Sequence, residues 1–322
     1  MIKSNKSLKL GFKDFPIKSF LTQWIEQYLF FPNPLQRLIS VALFPFTIIY
    51  CIVVAYKRIG AKPFDFGLPI VSIGNLVVGG SGKTPVTIAL AKEKEDAFVI
   101  LRGYGRASKG MLVVSQKGKI LVETEESGDE AMVLARSLPN GSVIVAENRI
   151  EGILKAKELG AKIIFLDDGY SKHNIHKFDI LIRPKEEPTN LFCLPSGGYR
   201  ETKMMYSFVP VVLKDGEDFR RIVSFKKDGE ILETLPKNII LLTAISKPKR
   251  LLEFLPTGTK MEVFPDHHNF TKNEIDTILG KYKETQFIVT MKDMVKLEKF
   301  GLTNLILMDL KVEIVKEFDL PK

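Results

Sequence analysis

The sequence predicts an α/β protein: a P-loop NTPase-like, mostly parallel sheet with helices on both faces, a second smaller α/β domain, and an N-terminal membrane-associated helix. Three observations lead there. Short apolar runs alternate with helix-like segments from residue 68 onward. A glycine-rich turn, GGSGKT, joins the first of those runs to the helix after it. Nineteen residues without a formal charge, LISVALFPFTIIYCIVVAY, precede both. Strand–helix alternation needs the crossovers of a parallel sheet covered on both faces.

A chain of 322 residues, 45% hydrophobic, can bury one large core or two moderate ones. Its two cysteines, Cys51 and Cys193, exclude a disulfide scaffold or a cysteine-based zinc site. Residues 1–62 hold nine Lys/Arg against two acids, so most of the +9 net charge lies beside the apolar run. Leu38–Tyr56 approaches the ~20 residues of a membrane-spanning helix. A cleaved signal peptide is disfavoured because Tyr56-Lys57-Arg58 follows the run, and a buried core helix because it normally carries some charge. Pro45 and the preceding FLTQWIEQYLFF also allow a kinked helix or a hairpin in one leaflet.

The elements then follow in order. LPIVSIGNLVV reads as a buried strand, PVTIALAKE as a helix and AFVILRGYG as a second strand. SGDEAMVLARSL reads as a helix with Ser127 as N-cap, SVIVAE as a strand, RIEGILKAKELG as a helix and AKIIFLDDGY as a strand. Past Arg183 the sequence loosens into RPKEEPTNLFCLPSGGYRET before new strand candidates, FVPVVL, NIILLTAI, MEVF, QFIVTM and NLILM. The expected domains are a membrane-associated segment at 1–62, a P-loop core at 63–183 and a smaller α/β domain at 184–322, its last strands free to rejoin the core.

The Walker pattern G-x-x-x-x-G-K-[ST] would place a glycine where Val77 stands. What the chemistry needs is a turn whose N–H groups face phosphate, a helix N-terminus and a lysine. Gly79, Gly80, Ser81 and Gly82 supply the turn, Lys83 the charge and Thr84 a hydroxyl for Mg²⁺; Pro85 fits the first helical turn. A P-loop enzyme also needs an acid at the end of a neighbouring strand, which Asp167 and Asp168 provide. A guanine-reading motif is excluded, because in TMKD the lysine adjoins the aspartate. An ATP-dependent phosphotransferase needs a carboxylate or imidazole at the acceptor hydroxyl, and SGDEAM and FPDHHNF both offer one. The latter is equally compatible with a polar loop or half a metal site; a zinc site lacks further ligands at recognisable spacing.

Taken together, GNLVVGGSGKTP, LRGYGR, GDEAMVLA, LDDGY, LPSGGYRE, LTAISKPKR, FPDHHNF and VTMKDMVK resemble, in order, the signature blocks of the tetraacyldisaccharide 4′-kinase family. The likeness runs from about residue 30 to 300, and that family's phosphate loop also lacks a glycine at the place of Val77. The resemblance implies ATP and Mg²⁺, and transfer of the γ-phosphate to the 4′-hydroxyl of a tetraacylated glucosamine disaccharide 1-phosphate in lipid A synthesis. It further implies a lipid disaccharide substrate on an anionic membrane surface, at the cytoplasmic side of the inner membrane. By position it implies Lys83 and Thr84 for phosphate and Mg²⁺, Asp167 and Asp168 for the metal and its waters, and Asp129 as base paired with His267. Arg102, Tyr104, Arg106, Arg149, Arg200 and Glu201 would contact substrate, where the planar guanidinium fork matches phosphate oxygens. Three motifs depart from the family: Ser171-Lys172 stands for Gln-His, Met291 for Glu, and Ala131 for Pro. A membrane-tethered P-loop ATPase or switch acting on a protein partner is the alternative, and it has no use for Asp129 or His267. No nucleic-acid partner is expected, since the basic excess is juxtamembrane, and no obligate protein partner is expected either.

Overall fold

The computed structural model describes residues 15–80 and 82–321. The chain falls into two compact units, one formed by 1–60, 76–78 and 186–205, the other by 61–75, 79–185 and 206–322.

In the first unit, α1 (Phe15–Phe30) precedes α2 (Pro34–Ile59), a helix of 26 residues. Its start is fixed by a capping box: Asn33 Oδ1 accepts the Gln36 N–H at 2.9 Å, and Gln36 Oε1 accepts the Asn33 N–H at 3.0 Å. The helix continues through Pro45. Its amphipathicity is the inverse of a soluble helix. Gln36, Ser40 and Thr47 are buried, while Leu38, Val41, Ile49 and Ile52 are exposed, the last at 62%. Gln36 Nε2 donates to the Trp24 carbonyl at 3.2 Å, and Ser40 and Thr47 meet residues 186–205. Thr47 Oγ1 donates to Ser196 Oγ at 2.8 Å, and Asn190 Nδ2 donates to Ser40 Oγ at 3.3 Å and to the Ser196 carbonyl at 2.8 Å. Leu76–Val78 joins the same segment, with Val77 bridged to Tyr199 and the Val78 N–H donating to the Gly198 carbonyl at 2.9 Å. That pairing gives Val77 an extended, buried place, and so accounts for a β-branched residue where the Walker pattern has glycine.

The second unit holds two sheets. The first eight strands are β1 (Ile70–Asn75), β2 (Ala97–Leu101), β3 (Leu112–Gln116), β4 (Lys119–Ile120), β5 (Ser142–Val145), β6 (Ile163–Asp167), β7 (Phe178–Arg183) and β8 (Val211–Lys214). They order as β4-β3-β5-β2-β6-β1-β7-β8, parallel except at the β3 and β4 edge. Helices α3 (Lys83–Ala91), α4 (Thr124–Ser127), α5 (Asp129–Ser137) and α6 (Arg149–Glu158) connect them. Strand alternation sorts the core. Val71, Ile73, Val99 and Phe165 pack with Val86 of α3 and Leu134 of α5, whereas Ile70, Phe98, Ile100 and Ile164 pack with Ile153 of α6. Ser127 is not the N-cap of α5. Gly128, at φ 84°, takes that place, and Ser127 closes the short α4 by donating to the Glu123 carbonyl.

The second sheet contains β9 (Phe219–Lys227), β10 (Glu230–Ile231), β11 (Ile239–Thr243), β12 (Lys260–Val263), β13 (Gln286–Thr290) and β14 (Leu305–Ile314), in the order β10-β9-β14-β13-β11-β12. Helix α7 (Lys272–Lys281) packs through Ile275 and Ile278 on Phe287 and Val289, and α8 (Met291–Leu297) follows β13 directly. Val312 and Ile314 of β14 pack against the α3 side of the first sheet, joining the two sheets within one unit.

Candidate active site

The phosphate loop leaves the C-terminal end of β1, where parallel α/β sheets bind ligands. Gly82 at φ 87° caps α3, and Gly79 lies at φ 93°, both in the left-handed region open to glycine. Ser81 lies outside the described residues. Lys83 Nζ donates to Asn75 Oδ1 at 3.1 Å and sits 3.6 Å from Asp168 Oδ1. Asp167 ends β6, beside β1 in the sheet, so its carboxylate reaches the loop's helix: Thr84 Oγ1 donates to Oδ2 at 2.8 Å. Burial pushes the Asp167 carboxyl up to about 6, with the Glu130 and Asp168 charges adding to it and the Thr84 bond and Lys83 opposing. Asp168 follows at φ 55°, an uncommon conformation for a residue with a side chain. The turn after it closes on β1, where a Cβ on Gly74 would stand 2.4 Å from Tyr170 Cβ.

Asp129 opens α5 and His267 lies in the loop after β12, 138 residues away, yet His267 Nδ1 is 3.1 Å from both Asp129 carboxylate oxygens. Asp129 is nearly inaccessible, its side chain 6% exposed, while His267 is 34% exposed and held at φ 58°. Burial would raise the Asp129 carboxyl, but the His267 hydrogen bond and the charges of Lys292, His267 and Lys296 hold it at about 2. The Asp129 hydrogen bond raises His267 above its ordinary value, against burial and Lys292. Lys292 pairs with Glu130 at 2.8 Å, and Glu130 in turn acts on Asp167, so one carboxylate couples the two halves of the site.

The remaining sequence candidates divide. Arg102 Nη1 donates to Tyr104 Oη at 3.3 Å and its guanidinium lies over that ring at 5.0 Å. Arg149, at the start of α6, is buried; its Nη1 donates to the Ala146 carbonyl, and its Nε has no hydrogen-bond partner. Arg106 is engaged by Glu147 at 2.6 Å, Ser108 at 2.9 Å and the Gly110 carbonyl. Arg200 and Glu201 belong to the first unit, where the Arg200 carbonyl accepts from Tyr50 at 2.9 Å and Glu201 pairs with Arg58 of α2 at 2.5 Å. His268 bonds Glu274 at 3.1 Å and stacks on Phe264, a structural role. Among the described residues no three His, Cys, Asp or Glu side chains cluster as a metal site.

Sequence reasoning gave no role to Lys292, Lys296 or Asp293. Asp293 is buried and accepts from Thr243 at 2.8 Å, Thr290 at 2.7 Å and the Ala244 N–H at 2.8 Å, which locks the end of β11 to α8. The signal was present in VTMKDMVK, but without the fold nothing shows that its lysines turn toward Asp129.

The profile of the tetraacyldisaccharide-1-P 4'-kinase family matches residues 39–320. The tetraacyldisaccharide 4'-kinase of Aliarcobacter butzleri (strain RM4018) is 60% identical over 303 residues, 94% of this chain and 96% of that protein. The enzyme of that name from Helicobacter pylori (strain ATCC 700392 / 26695) is 44% identical over 292 residues, 90% and 91% of the two chains. A crystal structure of the "apo" form of LpxK from Aquifex aeolicus in complex with ATP superposes with a TM-score of 0.69 at 27% identity, covering 86% of this chain and 95% of that one. The phosphate loop with its strand-end carboxylates, the Asp–His contact and these matches agree that the chain belongs to the tetraacyldisaccharide-1-P 4'-kinase family.

Proposed function

We propose that Asp129 and His267 form the proton acceptor of this kinase, whose reaction transfers the γ-phosphate of ATP to the 4′-hydroxyl of a tetraacyl glucosamine disaccharide 1-phosphate in lipid A biosynthesis. The observation that carries it is the 3.1 Å contact of His267 Nδ1 with the Asp129 carboxylate. Ionised Asp129 accepts the Nδ1–H, which fixes the tautomer and leaves Nε2, on the more exposed partner, as the accepting nitrogen. As the 4′-oxygen bonds to the γ-phosphorus and the bond to the ADP oxygen breaks, the hydroxyl proton passes to Nε2.

Lys83 exchanges Asn75 and Asp168 for phosphate oxygens, and the loop and the α3 N-terminus cradle the rest. The residues also fit magnesium. Asp167 is a buried carboxylate whose hydrogen-bond partners are hydroxyls, Thr84 and Thr87, beside a second carboxylate. Such hard oxygen donors suit an ion that keeps several waters and binds phosphate. Thr84 and Asp167 would hold it and Asp168 its waters; when bound it neutralises charge on the β- and γ-oxygens. Arg102, Tyr104 and Arg149 serve the substrate's phosphate and sugar, with Arg106 bracing their loop. For Arg200 and Glu201 a substrate role rests on the GGYRE motif alone.

The exposed apolar face of α2, on a helix long and apolar enough to cross a bilayer, is read as lipid-facing, with Lys57 at its end toward anionic headgroups. The requirement for ATP supports a site on the cytoplasmic side of the inner membrane. The test is transfer of radiolabelled γ-phosphate to a lipid A disaccharide 1-phosphate. His267→Ala and Asp129→Ala should abolish nearly all transfer while nucleotide still binds, and wild-type transfer by either would end the acceptor assignment.

A further inference from the structure

Lys296 stands on α8 beneath the acceptor pair. It is 5% exposed, and its Nζ has no hydrogen-bond partner. It lines a cavity of about 170 Å³ together with Asp129, His267, Arg106 and Asn269. Its Nζ lies 3.5 Å from Asp129 Oδ2 and 5.8 Å from the centre of the Phe270 ring. A buried ammonium that completes no hydrogen bond is a poor stabiliser of a fold, since an apolar side chain of similar volume usually does as well or better. The charge itself then calls for an explanation.

The charges around the pair come from several elements. Asp129 and Glu130 lie on α5, Lys292 and Lys296 on α8, Asp266 beside His267 on its loop, and Arg106 and Glu125 on the wall of the cavity. Glu130 is matched by Lys292, and Arg106 by Glu147. Lys292 also acts on Asp129, but it is shared with Glu130, whereas the buried Lys296 ammonium has Asp129 as its carboxylate neighbour. We propose that Lys296 is a positioning residue for proton transfer: its buried ammonium holds Asp129 as a fixed, ionised acceptor and, as a positive charge beside the pair, limits how far Asp129 raises His267, enlarging the neutral fraction of the imidazole that takes the substrate proton. The proposal rests on the Asp129–His267 reading. The depressed carboxyl of Asp129, to which Lys296 contributes, agrees with it.

The experiment compares the full-length enzyme with Lys296→Met, Lys296→Arg and His267→Ala. The chain has four histidines, so a nitrogen-15 imidazole titration identifies His267 by the signal missing from His267→Ala. In Lys296→Met the His267 midpoint should rise by on the order of one pH unit. The acid limb of the kcat/KM profile should move with it, turnover at neutral pH should fall up to about tenfold, and KM for ATP should stay the same. Lys296→Arg should restore both midpoint and limb. An unmoved His267 midpoint in Lys296→Met, with His267→Ala inactive, overturns the proposal alone; so does an arginine variant as displaced as the methionine one. Wild-type turnover by His267→Ala overturns the acceptor reading and the proposal with it. If Lys296→Met fails a thermal-melt check, Lys296→Gln carries the same titration and is judged by the same outcomes.

Discussion

The phosphate loop and the Asp129–His267 pair, the proposed proton acceptor, are built in opposite ways. The loop is local: Asn75, Lys83 and Thr84 lie within ten residues on one strand–turn–helix, and the added carboxylate comes from the adjacent strand. The pair spans 138 residues and exists because α4 and α5 of one sheet meet α8 and the turn after it in the other, through Lys292–Glu130 at 2.8 Å and Lys299–Glu125 at 2.7 Å. The donor side thus depends on a motif, and the acceptor side on packing.

The largest effect that would break this contrast is expected at the pair. Asp129→Ala and His267→Ala should each lower kcat by ~10²–10⁴ with ATP affinity kept, since base catalysis is worth that much. The double variant should be scarcely worse than either single, and multiplicative losses would assign them separate tasks. Lys83→Ala should reduce turnover by at least ~10² and weaken nucleotide binding as well; retained nucleotide binding would blur the division between the halves. A smaller effect sharpens it. Neutral His267 is the working form, so kcat/KM should fall as pH drops through its raised pKa. Residual activity of Asp129→Asn should lose that limb only at lower pH, because the carboxylate that raises His267 is gone. The smallest test is Arg136→Ala, which removes the α5 pairing with Glu298. A partly exposed ion pair contributes ~0–1 kcal/mol, so the thermal midpoint should barely move; a large drop would mean that sheet docking is far more fragile than its apolar contacts imply.

The same contrast decides what the sequence disclosed. GGSGKT and LDDG announce their chemistry because strand, turn and helix are contiguous, and the parallel sheet follows from alternation. Asp129 and His267 could be paired only through the family's motif order, since no spacing rule joins residues from two sheets. Lys296 was invisible because a lysine in VTMKDMVK reads as solvated until burial is known. Ser127 misled because serine is a favoured cap, whereas Gly128 at φ 84° adopts a backbone that serine would resist. Strand β9, FRRIVSFKK, escaped because its four cations mask the alternation, and β7, FDILIR, because it runs straight into the loosened stretch. The apolar run of α2 was plain, but its polar seam was not: Ser40 and Thr47 are two unremarkable residues until Asn190 and Ser196 meet them.

That seam has a consequence for how the protein is made. The chain alternates between its two units in six segments, and the partners of α2 arrive only with residues 186–205. An emerging polypeptide must therefore carry its most apolar helix, polar stripe uncovered, through the synthesis of more than a hundred residues of the other unit before the seam can close. Shaving off residues 1–60 to obtain a water-soluble kinase would not remove a self-contained anchor. It would strip the cover from Ser196 and from Gly198, whose backbone is packed so tightly against Phe30 that a Cβ there would stand 2.5 Å from the ring. The helix proposed to face lipid is thereby also a piece of scaffold, and solubilising the enzyme calls for recolouring the exposed face of α2 rather than cutting it away.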